Sequence, residues 1–86
     1  MLGLIRSVAA EMAPYNVRAN VVNPGYFETE TPSVLTQEQK DRWLSVMPQG
    51  HFGEADDVAH LVAFLASEKA KYITGQIISA DGGMAI

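Results

Sequence analysis

The sequence predicts an α/β domain built on a strand–helix–strand unit, with two parallel strands and about three helices. Val17–Val22 is rich in β-branched residues and alternates little with polar ones, as a parallel strand covered on both faces does. A second short apolar run, Gln76–Ala80, is followed by turn residues. Between the two runs lies an amphipathic helical pattern, so the order is that of a βαβ unit.

The first helix is predicted over Leu2–Ala13. Its apolar residues recur at helical spacing: Ile5, Val8, Ala9 and Met12. Pro14 ends the pattern, because proline cannot continue a helix. The first strand stops abruptly at Pro24 and Gly25, after which the sequence becomes polar.

A second, short helix is predicted from Thr36 to Met47. Thr36 and Gln39 have the spacing of a capping box, in which each side chain accepts a hydrogen bond from a free backbone N–H group. Trp43, Leu44 and Met47 would lie on one side of this helix, which we expect at the surface.

The third helix is predicted within residues 54–70. Its apolar face has the i, i+3, i+4, i+7 spacing: Val58, Leu61, Val62 and Leu65. Acidic residues occupy the first turn, where the helix dipole favours negative charge: Glu54, Asp56 and Asp57.

Composition restricts the possible partners and cellular compartment of the chain. Its 86 residues are 48% hydrophobic and 19% charged, with a net charge of −4 and no cysteine. The basic residues are scattered, which argues against nucleic acid and membranes as partners, and no long apolar run or signal peptide is recognised. We expect a single partial domain over residues 1–86, in the reducing cytoplasm.

Two strands alone form a marginal sheet, and strands this apolar require neighbours. The chain therefore looks like part of a larger sheet, and we expect it to complete its core by oligomerisation.

Several blocks of sequence, taken together, resemble the carboxyl-terminal portion of the short-chain dehydrogenase/reductase family, especially its bacterial carbonyl and acyl-carrier-protein reductase branches. They are AAEMAPYNVRANVVNPGYFET, MPQGHFGEADDVAHLVAFLAS and YITGQIISADGG. The blocks cover nearly the whole chain, in order and at the family's spacing. The resemblance implies part of a Rossmann-type fold and the transfer of hydride between NAD or NADP and a carbonyl group.

The resemblance also implies a cofactor-binding turn after the first strand. In the family this turn lies against the nicotinamide, and a threonine just beyond it bonds the carboxamide or pyrophosphate. The corresponding positions are Pro24, Gly25, Tyr26 and Thr29. Ligands of open α/β sheets bind beyond the carboxyl ends of the strands, which is where Pro24 and Gly25 lie.

The segment from Phe27 to Met47 resembles the lid over the substrate in this family. Phe27, Trp43 and Met47 are its candidate substrate-facing residues. Trp43 has packing within the lid as its alternative role.

The family's catalytic pair does not occur in these 86 residues. The reaction needs a tyrosine as proton donor and a lysine four residues later on the same helical face. Four residues after Tyr15, Tyr26 and Tyr72 stand Ala19, Glu30 and Gln76. The glycine-rich turn that receives a pyrophosphate is also missing, so we assign no catalytic residue and expect weak cofactor binding or none.

Three hypotheses follow. The chain is a truncated, non-catalytic module that forms a homodimer or higher oligomer, a half-enzyme active only with a complementing amino-terminal half, or a vestigial nucleotide-binding module. We favour the first. In the family, subunits meet through the counterparts of the first helix, the third helix and the last strand.

We expect no metal site. Asp56 and His60 are four residues apart on the third helix and are interpreted as a helix-surface pair. The basic residues are interpreted as solvent-exposed or rim charges: Arg6, Arg18, Lys69 and Lys71.

Overall fold

The computed structural model describes residues 2–25 and 36–84. The elements are, in order, α1 (Leu2–Met12), β1 (Val21–Pro24), α2 (Gln37–Ser45), α3 (Ala55–Leu65) and β2 (Ile77–Ala80), with 3-10 turns at Ala13–Tyr15 and Glu68–Ala70. The two strands pair in parallel, which confirms the predicted α/β class. No helix in the described part of the chain is long and apolar enough to cross a membrane.

Helix α1 ends one residue before the predicted boundary. The chain continues as a 3-10 turn that contains Pro14, and Asn16 then takes the left-handed conformation with φ of 61°. Asparagine tolerates this conformation better than most residues, so it reverses the chain towards β1. Ala9 is buried in α1, whereas Val8, predicted on the same face, remains 37% exposed.

Strand β1 was predicted at Val17–Val22 but begins at Val21 and extends through Pro24. The residues before it are held mainly by side-chain hydrogen bonds, together with one backbone bond from the Gly75 N–H to the Ala19 carbonyl at 2.7 Å. The N–H of Ala19 donates to Thr74 Oγ1 at 3.0 Å, and Asn20 Nδ2 donates to the Ile73 carbonyl at 3.0 Å. The regular ladder starts only where the Val21 N–H reaches the Gln76 carbonyl, at 2.8 Å.

Proline can occupy the last position of β1 because of the direction its N–H would take. The N–H groups of Val21 and Gly25 point at β2, where they donate to the carbonyls of Gln76 and Ala80. In a parallel ladder the alternate residue points away from the neighbouring strand, so Pro24 removes no hydrogen bond between β1 and β2.

Helix α2 begins with the predicted capping box. Thr36 Oγ1 accepts the Gln39 N–H at 3.1 Å, and Gln39 Oε1 accepts the Thr36 N–H at 3.0 Å. None of its residues is buried. The helix ends at Ser45, two residues before the predicted end at Met47. Local hydrogen bonds thus define its start without support from the core.

Helix α3 begins as predicted but ends at Leu65, and residues 68–70 form a separate 3-10 turn. Asp57 Oδ2 accepts the Glu54 N–H at 2.8 Å and so caps the first turn. Leu65 is buried, whereas Val62 of the predicted apolar face is 48% exposed.

Arg18 has a different role from the predicted rim charge. Its Nη1 donates to the Leu65 carbonyl at 2.6 Å, and its Nη2 lies 3.5 Å from the Ser67 carbonyl. The Leu65 carbonyl belongs to the last turn of α3, where backbone oxygens lack partners within the helix and attract cations. The Ser67 carbonyl lies at the start of the following 3-10 turn and also accepts the Ala70 N–H at 3.1 Å. Arg18 is half-buried there and fastens the carboxyl end of α3 to the segment before β1.

The core of the described part of the chain is small. Four apolar residues are buried, namely Ala9, Met47, Leu65 and Ala70, and no large side chain is completely enclosed. Large apolar side chains with more than 40% of their surface exposed occur along both long helices: Leu2, Leu4, Val62 and Phe64. The chain by itself therefore leaves much of its apolar surface in water.

We expect Arg18→Met to lower the free energy of unfolding by about 1–2 kcal/mol. The substitution keeps the aliphatic length but removes charged hydrogen bonds to carbonyls at the helix terminus. Urea unfolding at one fixed protein concentration measures the change. Lys71→Met, at an exposed cation, is the matched control and should shift the midpoint little. Equal midpoint shifts for the two variants would contradict the role assigned to Arg18.

Candidate functional site

The candidate site lies at the carboxyl ends of the two strands. Because β1 and β2 run parallel, Pro24 stands opposite Ala80, and the residues that follow both strands leave the sheet at the same edge. This is the edge at which open α/β sheets bind ligands. The turn predicted from the sequence therefore lies next to Asp81 and the glycines that follow β2.

Gly25 is required at the end of β1 by its contact with the backbone that follows β2. A Cβ atom placed on Gly25 would lie 2.7 Å from Asp81 Cα and 2.9 Å from Asp81 Cβ. Real Cβ atoms do not approach other carbon atoms so closely. The Gly25 N–H also donates to the Ala80 carbonyl at 3.0 Å. The space in front of Gly25 is thus occupied by the backbone that follows β2.

A cleft of about 730 Å³ opens beside the end of β2. Its walls come from the segment after α2, the first turn of α3 and the end of β2: Met47, Gln49, His51, Gly53, Asp57, Ser79, Ala80, Asp81, Gly82 and Gly83. Among the described lining residues, two carboxylates and one imidazole are ionisable, and none is a lysine or arginine. Its volume is in the range of small-molecule sites.

The structure places three of the predicted site residues near the carboxyl ends of the strands, although only one of them lines the cleft. Pro24 and Gly25 lie at the end of β1, and Met47 is buried with part of its surface in the cleft. Trp43 is half-buried on α2 and is not among the cleft residues. The remaining predicted positions, Tyr26, Phe27 and Thr29, lie outside the described residues.

Sequence reasoning missed the part of the site that follows β2. Asp81 stands immediately after a predicted strand, and that position was the available signal, because polar residues at strand ends line the ligand edge of such sheets. Asp57 was interpreted only as a helix-terminus charge, although it also lines the cleft.

The titratable residues of α3 and its neighbourhood form no metal-binding group. Among residues 2–25 and 36–84, no three His, Cys, Asp or Glu side chains lie close enough together to hold a metal ion. His51 Nδ1 lies 3.1 Å from the Phe52 carbonyl. The predicted pair of Asp56 and His60 is not formed as a salt bridge or hydrogen bond in this structure, where both side chains are exposed.

The described residues do not by themselves fit a dinucleotide. A pyrophosphate needs cations or free backbone N–H groups, and the cleft lining provides two carboxylates without lysine or arginine. At the predicted turn, Pro24 has no N–H group and the Gly25 N–H is already donated to Ala80. A backbone N–H donor for a nicotinamide would therefore have to come from elsewhere.

Comparison with known proteins shows similarity over nearly the whole chain. The family model described as enoyl-(acyl carrier protein) reductase matches residues 1–85. The 3-oxoacyl-[acyl-carrier-protein] reductase FabG of Aquifex aeolicus is 45% identical over 84 residues, which are 98% of this chain and 34% of that protein. The chain thus spans about a third of the length of this relative.

Solved structures show the same relationship. A Sinorhizobium meliloti protein assigned to the short-chain alcohol dehydrogenases is 40% identical and superposes with a TM-score of 0.89, over 98% of this chain and 34% of its own. YwfH, an NADPH-dependent reductase involved in bacilysin biosynthesis, is 37% identical with a TM-score of 0.83, over 96% of this chain and 35% of its own.

We expect Gly25→Ala to destabilise the chain by about 1–3 kcal/mol, because the added methyl group must displace the Asp81 backbone. Gly3→Ala is the matched control. A Cβ there meets nothing within 4 Å on α1, so this variant should be more stable by about 0.5–1 kcal/mol. Urea unfolding of both variants tests the pair, and a neutral or stabilising Gly25→Ala would show that the strand ends do not pack as described.

Proposed function

Since this chain belongs to the short-chain dehydrogenase/reductase family, in the group whose model is described as enoyl-(acyl carrier protein) reductase, we propose that it forms the carboxyl-terminal wall of an NAD(P)-dependent reductase site. One observation carries the proposal. The turn at Pro24 and Gly25, the end of β2 and the cleft all meet at the ligand edge of a parallel sheet.

The proposed substrate class is a 3-oxoacyl thioester, by analogy with the relative named above. Within the complete site, Tyr26 and Thr29 would contribute polar contacts to the nicotinamide, while Phe27, Trp43 and Met47 would face the substrate. A cytoplasmic setting is part of the proposal, and the lack of cysteine in the sequence supports it.

We further propose that these 86 residues do not catalyse hydride transfer alone. The proton donor of the family is a tyrosine whose pKa is lowered by a lysine four residues later, and no tyrosine of this sequence has a lysine at that spacing. For catalysis, the chain has to be combined with a protein segment that carries this tyrosine–lysine pair and the phosphate-binding turn.

The chain alone should not oxidise NADPH in the presence of a 3-oxoacyl thioester. A protein that joins the first two thirds of the Aquifex aeolicus reductase to this chain should do so, because it restores the catalytic pair beside the same strand ends. Absorbance of NADPH measures both rates. The control is the joined protein with its catalytic tyrosine changed to phenylalanine. Turnover by the chain alone, or a folded but inactive joined protein, would contradict the proposal.

For the chain by itself we propose a homodimer or higher oligomer. Val62 and Phe64 on α3, and Leu4 on α1, each leave more than 40% of their surface exposed. Exposed large apolar side chains on both long helices would be covered by association, which is the available way to remove them from water.

Val62→Asp should shift the chain to smaller species in sedimentation velocity at micromolar concentration. Val62 is exposed in the single chain, so the carboxylate is tolerated there but disfavoured in an apolar interface. Leu65→Asp should instead prevent folding, because Leu65 is buried within the chain.

His60→Asp places the same charge on an exposed position of the same helix and serves as the matched control. A compact, folded monomer of the unmodified chain at micromolar concentration would contradict self-association, and an equal effect of His60→Asp would contradict the assignment to Val62.

A further inference from the structure

The turn after β2, residues Asp81–Met84, has its shape set by an aspartate side chain. Asp81 Oδ1 accepts the Gly83 N–H at 3.0 Å, and the Asp81 carbonyl accepts the Met84 N–H at 3.2 Å. Gly82 and Gly83 both have positive φ angles, of 66° and 90°. An aspartate that bonds the backbone two residues ahead stabilises such a turn, which we call the terminal turn.

The terminal turn holds the chain where it leaves β1. The backbone of Gly25 rests against Asp81 so closely that a Cβ on Gly25 would lie 2.7 Å from Asp81 Cα. Because the Gly25 N–H is also bonded to the Ala80 carbonyl, the position of Gly25 at the end of β1 is fixed by two neighbouring residues.

The same turn holds the chain where it returns after α2. The Gln49 N–H donates to the Gly82 carbonyl at 3.1 Å, and a Cβ on Gly82 would lie 3.6 Å from Gln49 Cβ. Gly50 in turn donates to the Met47 carbonyl at 2.9 Å, and Met47 is buried in the wall of the cleft. Two places far apart in the sequence are therefore fastened to one short turn.

We propose that Asp81 is a positioning residue of the reductase site, which holds Gly25 and Gln49 in a fixed relation at the edge of the cleft. This inference rests on the proposed function, since Gly25 belongs to the turn assigned to the nicotinamide. Asp81 acts through the backbone of the terminal turn and takes no part in the chemistry. Its side-chain acceptor oxygen is the group that matters, so asparagine should replace it and alanine should not.

Amide hydrogen exchange on the full 86-residue chain tests the fastening directly. In Asp81→Ala, the amides of Gly25 and Gln49 should both exchange about tenfold faster, the effect of weakening one hydrogen-bonded anchor, while amides in the middle of α1 keep their rates. Asp81→Asn should restore slow exchange at both amides. Glu11→Gln removes an exposed carboxylate from α1 and should change neither.

Faster exchange at Gly83 alone, with Gly25 and Gln49 unchanged, would overturn the proposal. If Asp81→Ala does not fold, Asp81→Ser takes its place, because a serine hydroxyl makes the same turn more weakly. The amides of Gly25 and Gln49 should then accelerate together, and acceleration of only one of them would overturn the common anchor.

Steady-state kinetics of the joined protein separate positioning from simple stabilisation. Asp81→Ala should raise KM for NADPH about tenfold at temperatures well below its unfolding transition, with a smaller change in kcat, and Asp81→Asn should bring KM back towards that of the unmodified protein. A lowered Tm with unchanged KM would overturn the positioning role. If the unmodified joined protein is inactive, the proposed function fails, whereas the exchange experiment still decides whether Asp81 anchors both segments.

Discussion

The pairing of β1 with β2 is the constraint on which the rest of the structure depends. It joins residues near position 21 to residues near position 77, so every element between them is part of one long closed loop. Closing such a loop is entropically unfavourable, and the four residue pairs of the ladder offset only part of this loss of entropy. Side chains around the ladder supply the remainder: Asn20 bonds the segment before β2, Thr74 bonds the segment before β1, and Arg18 holds the end of α3. The sheet is short, but it is supported from its amino-terminal end by specific polar contacts.

Polar contacts and apolar contacts have different roles in this fold. Hydrogen bonds define where the strands begin and where the helices end, whereas only a few small or medium side chains are enclosed. Small domains bury a smaller share of their surface than large ones, and this chain has the helices and strands of a domain without the opposing layers that would cover them. The chain is similar to a segment that makes up about a third of each of two larger proteins, which is consistent with a fold that lacks covering layers. The apolar residues are those of a protein interior, and several lie at its surface.

Features governed by neighbouring residues were predictable from the sequence. The capping box of Thr36 and Gln39 was identified from spacing alone, because both of its hydrogen bonds are local. The parallel strand pair and the order of helices followed from apolar patterns. The start of β1 was wrong because Asn20 and its neighbours bond to residues more than fifty positions away, and no local pattern encodes such a partner. Arg18 was misinterpreted for the same reason. At the candidate site, the family resemblance located Pro24 and Gly25, whereas the contact of Gly25 with Asp81 required the fold itself.

Helix α2 differs from the other elements in where its stability originates. Both bonds of its cap lie within four residues, a salt bridge joins Glu38 to Arg42 one turn later, and none of its residues is buried. Its start is therefore defined by its own sequence, whereas a helix of nine residues is marginal in isolation and its placement depends on the rest of the chain. Substitutions on its outer surface can accumulate without disturbing the sheet, provided that Thr36 and Gln39 remain. The outward-facing residues of α2 can therefore change the surface beside the cleft while leaving the pairing of the strands intact.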